Sequence, residues 1–273
     1  MIDLHLHTTA SDGLLHPDAL MAQAAGAGLT VVSVTDHDTV AGIAPSIAAA
    51  NRHGLRVVSG IEITAVEQER DVHVLGYFFD PSCAKLSAFL DAQRQDRMRR
   101  VRDIGDRLRD LGASIDVAPL LARAEAGASV GRPAIADALV ASGHAADRHD
   151  AFARLLGRGR PAFVPRQGVA AAHVIEIVHG AGGIASLAHP VLLERDDLIP
   201  GMVAAGLDAI EVWHSDQSPD HSAHYGRLAD RLGIAMSGGS DYHGDGVHRA
   251  CRLGAVALPA SAFARLESLA GAR

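Results

Sequence analysis

The chain has 273 residues, 48% apolar and 21% charged, enough to bury a sizeable core as one large α/β domain or as a domain carrying an insert, and too apolar to remain disordered. Its formal charge of −7 argues against a surface that grips long nucleic acid by phosphate contacts alone, while short anionic substrates stay open. Apolar runs such as residues 31–34 fall far short of the roughly 20 residues of a bilayer span, no basic and apolar leader precedes the first strand pattern, and Cys83 and Cys251 have no CxxC partner; a cytoplasmic protein without disulfides or membrane association is expected.

The chain opens "MIDLHLHTTASDG". Read as a strand, residues 2–7 alternate, with Leu4 and Leu6 on one face and Asp3, His5 and His7 on the other. Two imidazoles on one face reach one point, whereas an ordinary polar edge would carry Lys, Thr or Ser. "PDALMAQAAGAG" (residues 17–28) has the Pro start and Gly end of a helix. "TVVSVTDHD" follows as a buried strand, then a helix over residues 41–53, then the strands "RVVSGIEIT" and "DVHVLGYFF". Further on, "GIASLAHP", "DAIEVWH", "IAMSGGSDYHG" and "LGAVALP" read as strands between helix-like stretches. This β-then-α recurrence, with strands apolar on both faces, points to parallel strands covered by helices. A barrel of seven or eight units is the natural closure, and an open doubly wound sheet is the competitor.

Over residues 84–166 the alternation stops, and "KLSAFLDAQRQDRMRRVRDIGDRLRDLG" begins a long amphipathic helical segment followed by shorter helices. The expected organisation is a barrel in two parts, residues 1–83 and 167–273, with a mainly helical insert over 84–166 covering the active site. Residues 94–160 carry thirteen Arg against nine Asp plus Glu; over residues 94–109 these suit a solvated helix laced with i,i+4 ion pairs.

The metal-type residues are not scattered. His5 and His7 end the first strand, Asp12 follows in its loop, and Asp36, His37 and Asp38 end the second. Glu62 ends "VVSGIE", His73 lies in "DVHVLGY", His189 ends "IASLAH", and Asp241 and His243 end "MSGGSDYH". In a parallel barrel the C-terminal strand ends converge on one rim, where such folds place their chemistry. Histidine with carboxylate and no thiolate suits Mn²⁺, Fe²⁺ or Zn²⁺ better than Mg²⁺, and about nine candidates imply two or three ions. His16, His53, His144, His149, His173, His179, His221, His224 and His248 show no such convergence and read as surface or capping residues.

The ordered series "DLHLHTTASDG", "VTDHD", "GIEIT", "HVLGY", "AHP" and "SGGSDYHG" resembles the PHP family, the polymerase and histidinol phosphatase domains. Within it, the chain resembles the stand-alone branch that acts on 3′,5′-nucleotide bisphosphates. The likeness spans essentially the whole chain, including "GRPAIA" and "GRGRPAFVP" in the insert. It implies a distorted (β/α)7 barrel with a trinuclear centre, manganese most of all, with zinc or iron as alternatives. One ion would be held by His5, His7, Glu62 and Asp241, a second by Glu62, His73 and His189, and a third by Asp12, His37 and His243. Asp12 stands where several relatives have histidine, which implies a weaker third site or a different ion.

The resemblance further implies a phosphatase that removes the 3′-phosphate of small nucleotides such as 3′-phosphoadenosine 5′-phosphate, giving the 5′-monophosphate. A metal-bound hydroxide would attack in line, with no covalent enzyme intermediate. Asp36 and Asp38 flank a ligand and are expected to orient histidines through hydrogen bonds, or else to cap a helix. Either His214 in "EVWH", also placed to meet substrate, or a metal-bound water would protonate the leaving group. Arg132 ("GRP") and Arg160 ("RGRP"), with Arg158 as a close substitute, would hold a second phosphate, being set beside Gly and Pro in turns rather than on a helix face. The rival readings are a 5′-to-3′ exonuclease on short RNA or DNA oligonucleotides guided by the basic insert, a histidinol phosphate phosphatase, and a non-catalytic metal-binding module. A phosphodiesterase or amide hydrolase would use a similar metal set. No obligate protein partner is expected.

Overall fold

The computed structural model describes residues 1–244 and 252–273. His248 and Cys251 lie outside the described residues. Among these, seven strands form one sheet in sequence order: β1 (Ile2–Leu6), β2 (Val31–Val34), β3 (Arg56–Glu67), β4 (Arg70–Tyr77), β5 (Ile184–Leu187), β6 (Ala209–Trp213) and β7 (Ala235–Gly238). The sheet curls into a distorted barrel rather than the open doubly wound alternative. A parallel bridge pairs Leu6 with Tyr242, and two backbone bonds, His7 N to Tyr242 O at 3.0 Å and Asp241 N to His5 O at 2.8 Å, join the chain beyond β7 to β1.

Two expectations are corrected. β4 runs antiparallel to both β3 and β5, so the strands are not uniformly parallel. β3 and β4 form a hairpin whose turn residues, Gln68 and Glu69, both have positive φ (46° and 64°), the twist that suits a two-residue connection between paired strands. The segment "LGAVALP" forms no strand. Gly254 at φ 79° interrupts it and Pro259 ends it, and among the described residues Leu258 N to Ile2 O at 2.9 Å is the backbone bond that ties it to β1.

Helix Pro17–Gly26 buries Leu20, Met21 and Ala24 against Leu6, Val32 and Val34. Helix Ala260–Ala270 sets Phe263 and Leu266 in one core with Leu75, Tyr77, Ala209 and Ala235. Each large side chain so buried contributes about 1.5–3 kcal/mol. The inner face is not apolar as expected for helix-covered strands. Asp3, His5, Glu62, Ser186, Glu211 and Ser237 are all at most 1% exposed. Buried polar groups cost stability unless partnered, and here they partner one another, as Ser186 Oγ and Ser237 Oγ do at 2.7 Å.

The chain divides into two compact units, Met1–Phe89 with Gly168–Arg273, and Leu90–Gln167. The division falls inside the helix Ala84–Asp110. Within the second unit Met98, Val101, Ile104 and Leu108 recur at helical spacing and pack with Leu120, Ile135, Leu139 and Leu156. Several arginines of that unit meet its own carboxylates, as Arg99 does with Asp96 and Asp103 and Arg109 with Asp106, while Arg100 and Arg107 reach the carbonyls of Val164 and Phe163. Helix Pro219–Leu232 begins with a capping box in which Ser218 and His221 satisfy each other's backbone N–H. No helix among the described residues is long and apolar enough to cross a membrane.

Asp208, just before β6, accepts from His179 Nε2 at 2.7 Å, Ala185 N at 2.8 Å and Arg273 Nη2 at 2.6 Å. Burial alone would raise its pKa, but these donors outweigh that and hold it below the ordinary 3.8. Asp208→Asn is expected to lose about 1–3 kcal/mol in urea unfolding at neutral pH. Because the folded pKa is lowered, the native contribution is present above 3.8 and fades as pH falls through the folded value. Wild type and variant should therefore converge in stability in acid; equal midpoints at neutral pH would refute the assignment.

Candidate metal centre

Glu62 is the hub of the rim. Its Oε1 lies 2.7 Å from His73 Nδ1 and 3.0 Å from His189 Nε2, and its Oε2 lies 3.1 Å from His37 Nδ1, 3.2 Å from His7 Nε2 and 3.4 Å from His5 Nε2. Glu62 does not end its strand as expected. β3 continues past it into the hairpin, and the isolated bridge between His37 and Glu62 marks where β2 leaves off. The reversal of β4 is what delivers His73, which pairs with Thr64 near the start of its strand. On a parallel strand that position would face the opposite end of the barrel.

The structure brings together all nine residues expected as ligands. Ligand atoms of His5, His7, Glu62 and Asp241 lie within 4.8 Å of one another, as do those of His7, Asp12, His37 and His243, and those of His37, Glu62 and His73. His37 also stands with Glu62 and His73, where His189 meets the same Oε1 of Glu62 as His73 does, and His7 joins the group of Asp12. His5 is held at close range, since a Cβ on Gly239 would lie 2.4 Å from its Cβ. A cavity of about 210 Å³ opens on the cluster, lined among others by Asp12, His37, Glu62, His73, Leu192 and Tyr242.

The charges in this pocket set one another. Burial would disfavour the charged forms of Asp12, Glu62 and Asp241, yet adjacent imidazoles hold all three well below the usual carboxylate range. Burial likewise opposes charge on His7, but the carboxylates of Asp241 and Glu62 lift it to about 10. Burial prevails at His37, pushed down to about 3. His7 Nε2, Asp12 Oδ1 and His37 Nδ1 are buried without a well-formed hydrogen bond. Orphaned nitrogen and oxygen donors converging in one pocket, with no thiolate beside them among the described residues, fit divalent cations of the manganese, iron and zinc type.

Other expected residues are placed differently. Asp36 orients no histidine directly. It accepts from Thr8 N at 2.8 Å, Thr8 Oγ1 at 2.6 Å and Ser11 Oγ at 2.6 Å, bracing the turn after β1. Asp38, at φ 48°, accepts from Thr64 N at 2.8 Å. His214 is 3% exposed, its Nδ1 accepting from Asp216 N at 3.1 Å and its Nε2 3.3 Å from Asp241 Oδ2. Arg132 belongs to the second unit and opens helix Arg132–Ala141 rather than sitting in a turn, its guanidinium 5.8 and 5.5 Å from the Phe152 and Phe163 ring centroids. Arg158 and Arg160, also of that unit, are exposed. Two buried acids of the rim's support were missed. Asp3 accepts from His5 N and Ser240 N, and burial raises it to about 6. Glu211 lies on β6, where the one signal was a lone carboxylate at an inward position of the apolar run "AIEVW".

The curled sheet and its imidazole–carboxylate rim together define a barrel protein with a candidate site for divalent cations. The model of the PHP domain matches residues 3–129. The chain is 37% identical over 248 residues to a 5′-3′ exoribonuclease of Haemophilus influenzae, covering 88% of this chain and 89% of that protein. It is 33% identical over 252 residues to a 3′,5′-nucleoside bisphosphate phosphatase of Chromobacterium violaceum, covering 90% and 88%. A crystal structure named as a metal-dependent phosphoesterase from Bifidobacterium adolescentis matches with a TM-score of 0.88 and 35% identity, over 98% of this chain and 95% of that one. The chain belongs to the PHP family of metal-dependent phosphoesterases, and it is a hydrolase of phosphoesters.

Proposed function

We propose that this chain removes the 3′-phosphate from small 3′,5′-bisphosphate nucleotides, using two or three divalent ions with manganese the first choice. The observation that carries the reading is the ring of imidazoles around Glu62 at the floor of a cavity of about 210 Å³. His5, His7, Glu62 and Asp241 would hold one ion, Glu62, His73 and His189 a second, and Asp12, His37 and His243 a third. When bound, such ions supply Lewis-acid polarisation of phosphoryl oxygens and lower the pKa of water to near neutrality. Glu62 shares its two oxygens between the groups and sets their spacing. His214, with one ring nitrogen on backbone and the other on Asp241, acts through that carboxylate. Arg132, Arg158 and Arg160 are proposed for the second phosphate from their charge.

The name of the Chromobacterium violaceum relative supports this choice, and so does the charge pattern. Arg99, Arg109, Arg148 and Arg154 are engaged by Asp96, Asp103, Asp106, Asp137 and Asp150, which weakens the helical unit as a track for a long phosphate backbone. The second reading, a 5′-to-3′ exonuclease on short RNA, is supported by the name of the Haemophilus influenzae relative. In a direct comparison with Mn²⁺ present, kcat/KM for phosphate release from adenosine 3′,5′-bisphosphate is expected to exceed that for mononucleotide release from a 5′-phosphorylated RNA oligomer by about tenfold or more, a difference of about 1.4 kcal/mol. A preference of that size for the oligomer would reverse the assignment.

A further inference from the structure

An imidazole can take an ion on one nitrogen only if the other carries the proton, so something outside the ligand set must choose which. Glu211 is fully buried on β6 and faces two of the proposed ligands at once. Its Oε1 lies 3.0 Å from His5 Nδ1, and its Oε2 accepts from the backbone N–H of His189 at 2.7 Å. The far nitrogen of His5, Nε2, lies 3.4 Å from both Glu62 Oε2 and Asp241 Oδ1. His189 itself stands at φ 25° and ψ 62°, a conformation that a residue with a side chain rarely adopts unless its surroundings impose it.

We infer that Glu211 is a positioning residue of the metal centre: one carboxylate holds the proton of His5 on Nδ1, freeing Nε2 for an ion, and ties down the main chain that aims His189 at Glu62. This rests on the reading that the rim takes divalent cations and not on the choice of substrate. The chemistry demands a carboxylate. Two N–H donors approach from different elements, and an ionised carboxyl accepts from both. The amide of glutamine has one accepting end. It can satisfy the backbone of His189 only by turning its NH₂ toward His5, which moves the His5 proton to Nε2, the nitrogen meant for the ion. Outer partners of metal-ligating histidines act in this way in general, and their loss weakens metal binding by about 10–100-fold.

The test is Glu211→Gln, read in two ways. Long-range ¹H–¹⁵N correlation spectra of the Zn²⁺-loaded wild-type protein, a diamagnetic stand-in for Mn²⁺, should show the remaining proton of His5 on Nδ1, and the variant should show it on Nε2 or a mixture. Competition titration with Mn²⁺ should show the tightest site weakened about 10–100-fold in the variant, with thermal unfolding still cooperative. His5 protonated on Nε2 in the Zn²⁺-loaded wild type would overturn the inference without recourse to any variant, should Glu211→Gln fail to fold. A folded variant with unchanged tautomer and Mn²⁺ affinity within twofold of wild type would overturn it as well. A wild-type protein that binds neither Mn²⁺ nor Zn²⁺ would instead defeat the metal reading on which the inference rests, an outcome distinct from metal bound with His5 protonated on Nε2.

Discussion

Glu62→Gln is expected to lower kcat for phosphate release by about 10³-fold or more, while the protein stays folded. A residue that merely orients a ligand is worth roughly 10–100-fold, and Glu62 stands against five imidazoles, so its removal must exceed that. At 1.36 kcal/mol per decade, about 10³-fold is roughly 4 kcal/mol of transition-state stabilisation. The amide keeps the volume but loses the charge, and it turns one of two accepting oxygens into a donor that faces histidine nitrogens. The strand is secured independently, paired to β2 on one side and along the whole hairpin to β4 on the other. Elemental analysis of the variant should find fewer divalent ions per chain than in wild type. Retained turnover with a full complement of ions would remove Glu62 from the centre.

Chelation is expected to stop turnover and to lower the unfolding midpoint, with Mn²⁺ restoring both. An ion present at about 100 times its Kd and bound only to the folded chain stabilises it by about 2.7 kcal/mol, roughly 5–10 °C for a chain of this size. Unfolding should nevertheless remain cooperative without metal, because Asp12, Glu62 and Asp241 already have imidazoles against them. A calorimetric scan with and without chelator measures the shift. Phosphate release that persists after exhaustive chelation and dialysis would contradict metal dependence altogether.

Much of the centre is legible along the chain because its signals are short-ranged. The alternation of Asp3, His5 and His7 against Leu4 and Leu6 is a property of five consecutive residues, and the structure keeps it, with His5 and His7 on the rim and Leu6 packed on helix Pro17–Gly26. The hairpin is harder to see. Gln68 and Glu69 carry positive φ without the Asn-Gly or Asp-Gly signature that usually announces such a turn, so β3 and β4 read as two barrel strands of like direction. The interior polarity of the strands was concealed for a related reason: single residues such as Glu211 and Ser237 are diluted by the apolar neighbours that face outward. Arg132 was misread because Gly-Arg-Pro is equally a turn and a helix start, Pro being well suited to the first helical turn.

Residue type and order along the chain determined the inventory of this site: imidazoles and carboxylates at strand ends, no thiolate, and hence a preference among cations. Backbone periodicity is set by a few adjacent residues, so it survives without knowledge of the rest. Only the tertiary structure decided that β4 turns back, that His37 as well as His189 meets Glu62 beside His73, that Asp36 braces a turn, and that Glu211 stands behind His5. Those pairings join residues as far apart as His5 and Glu211, and an offset of an ångström or two at the closure of the sheet would give each nitrogen a different oxygen.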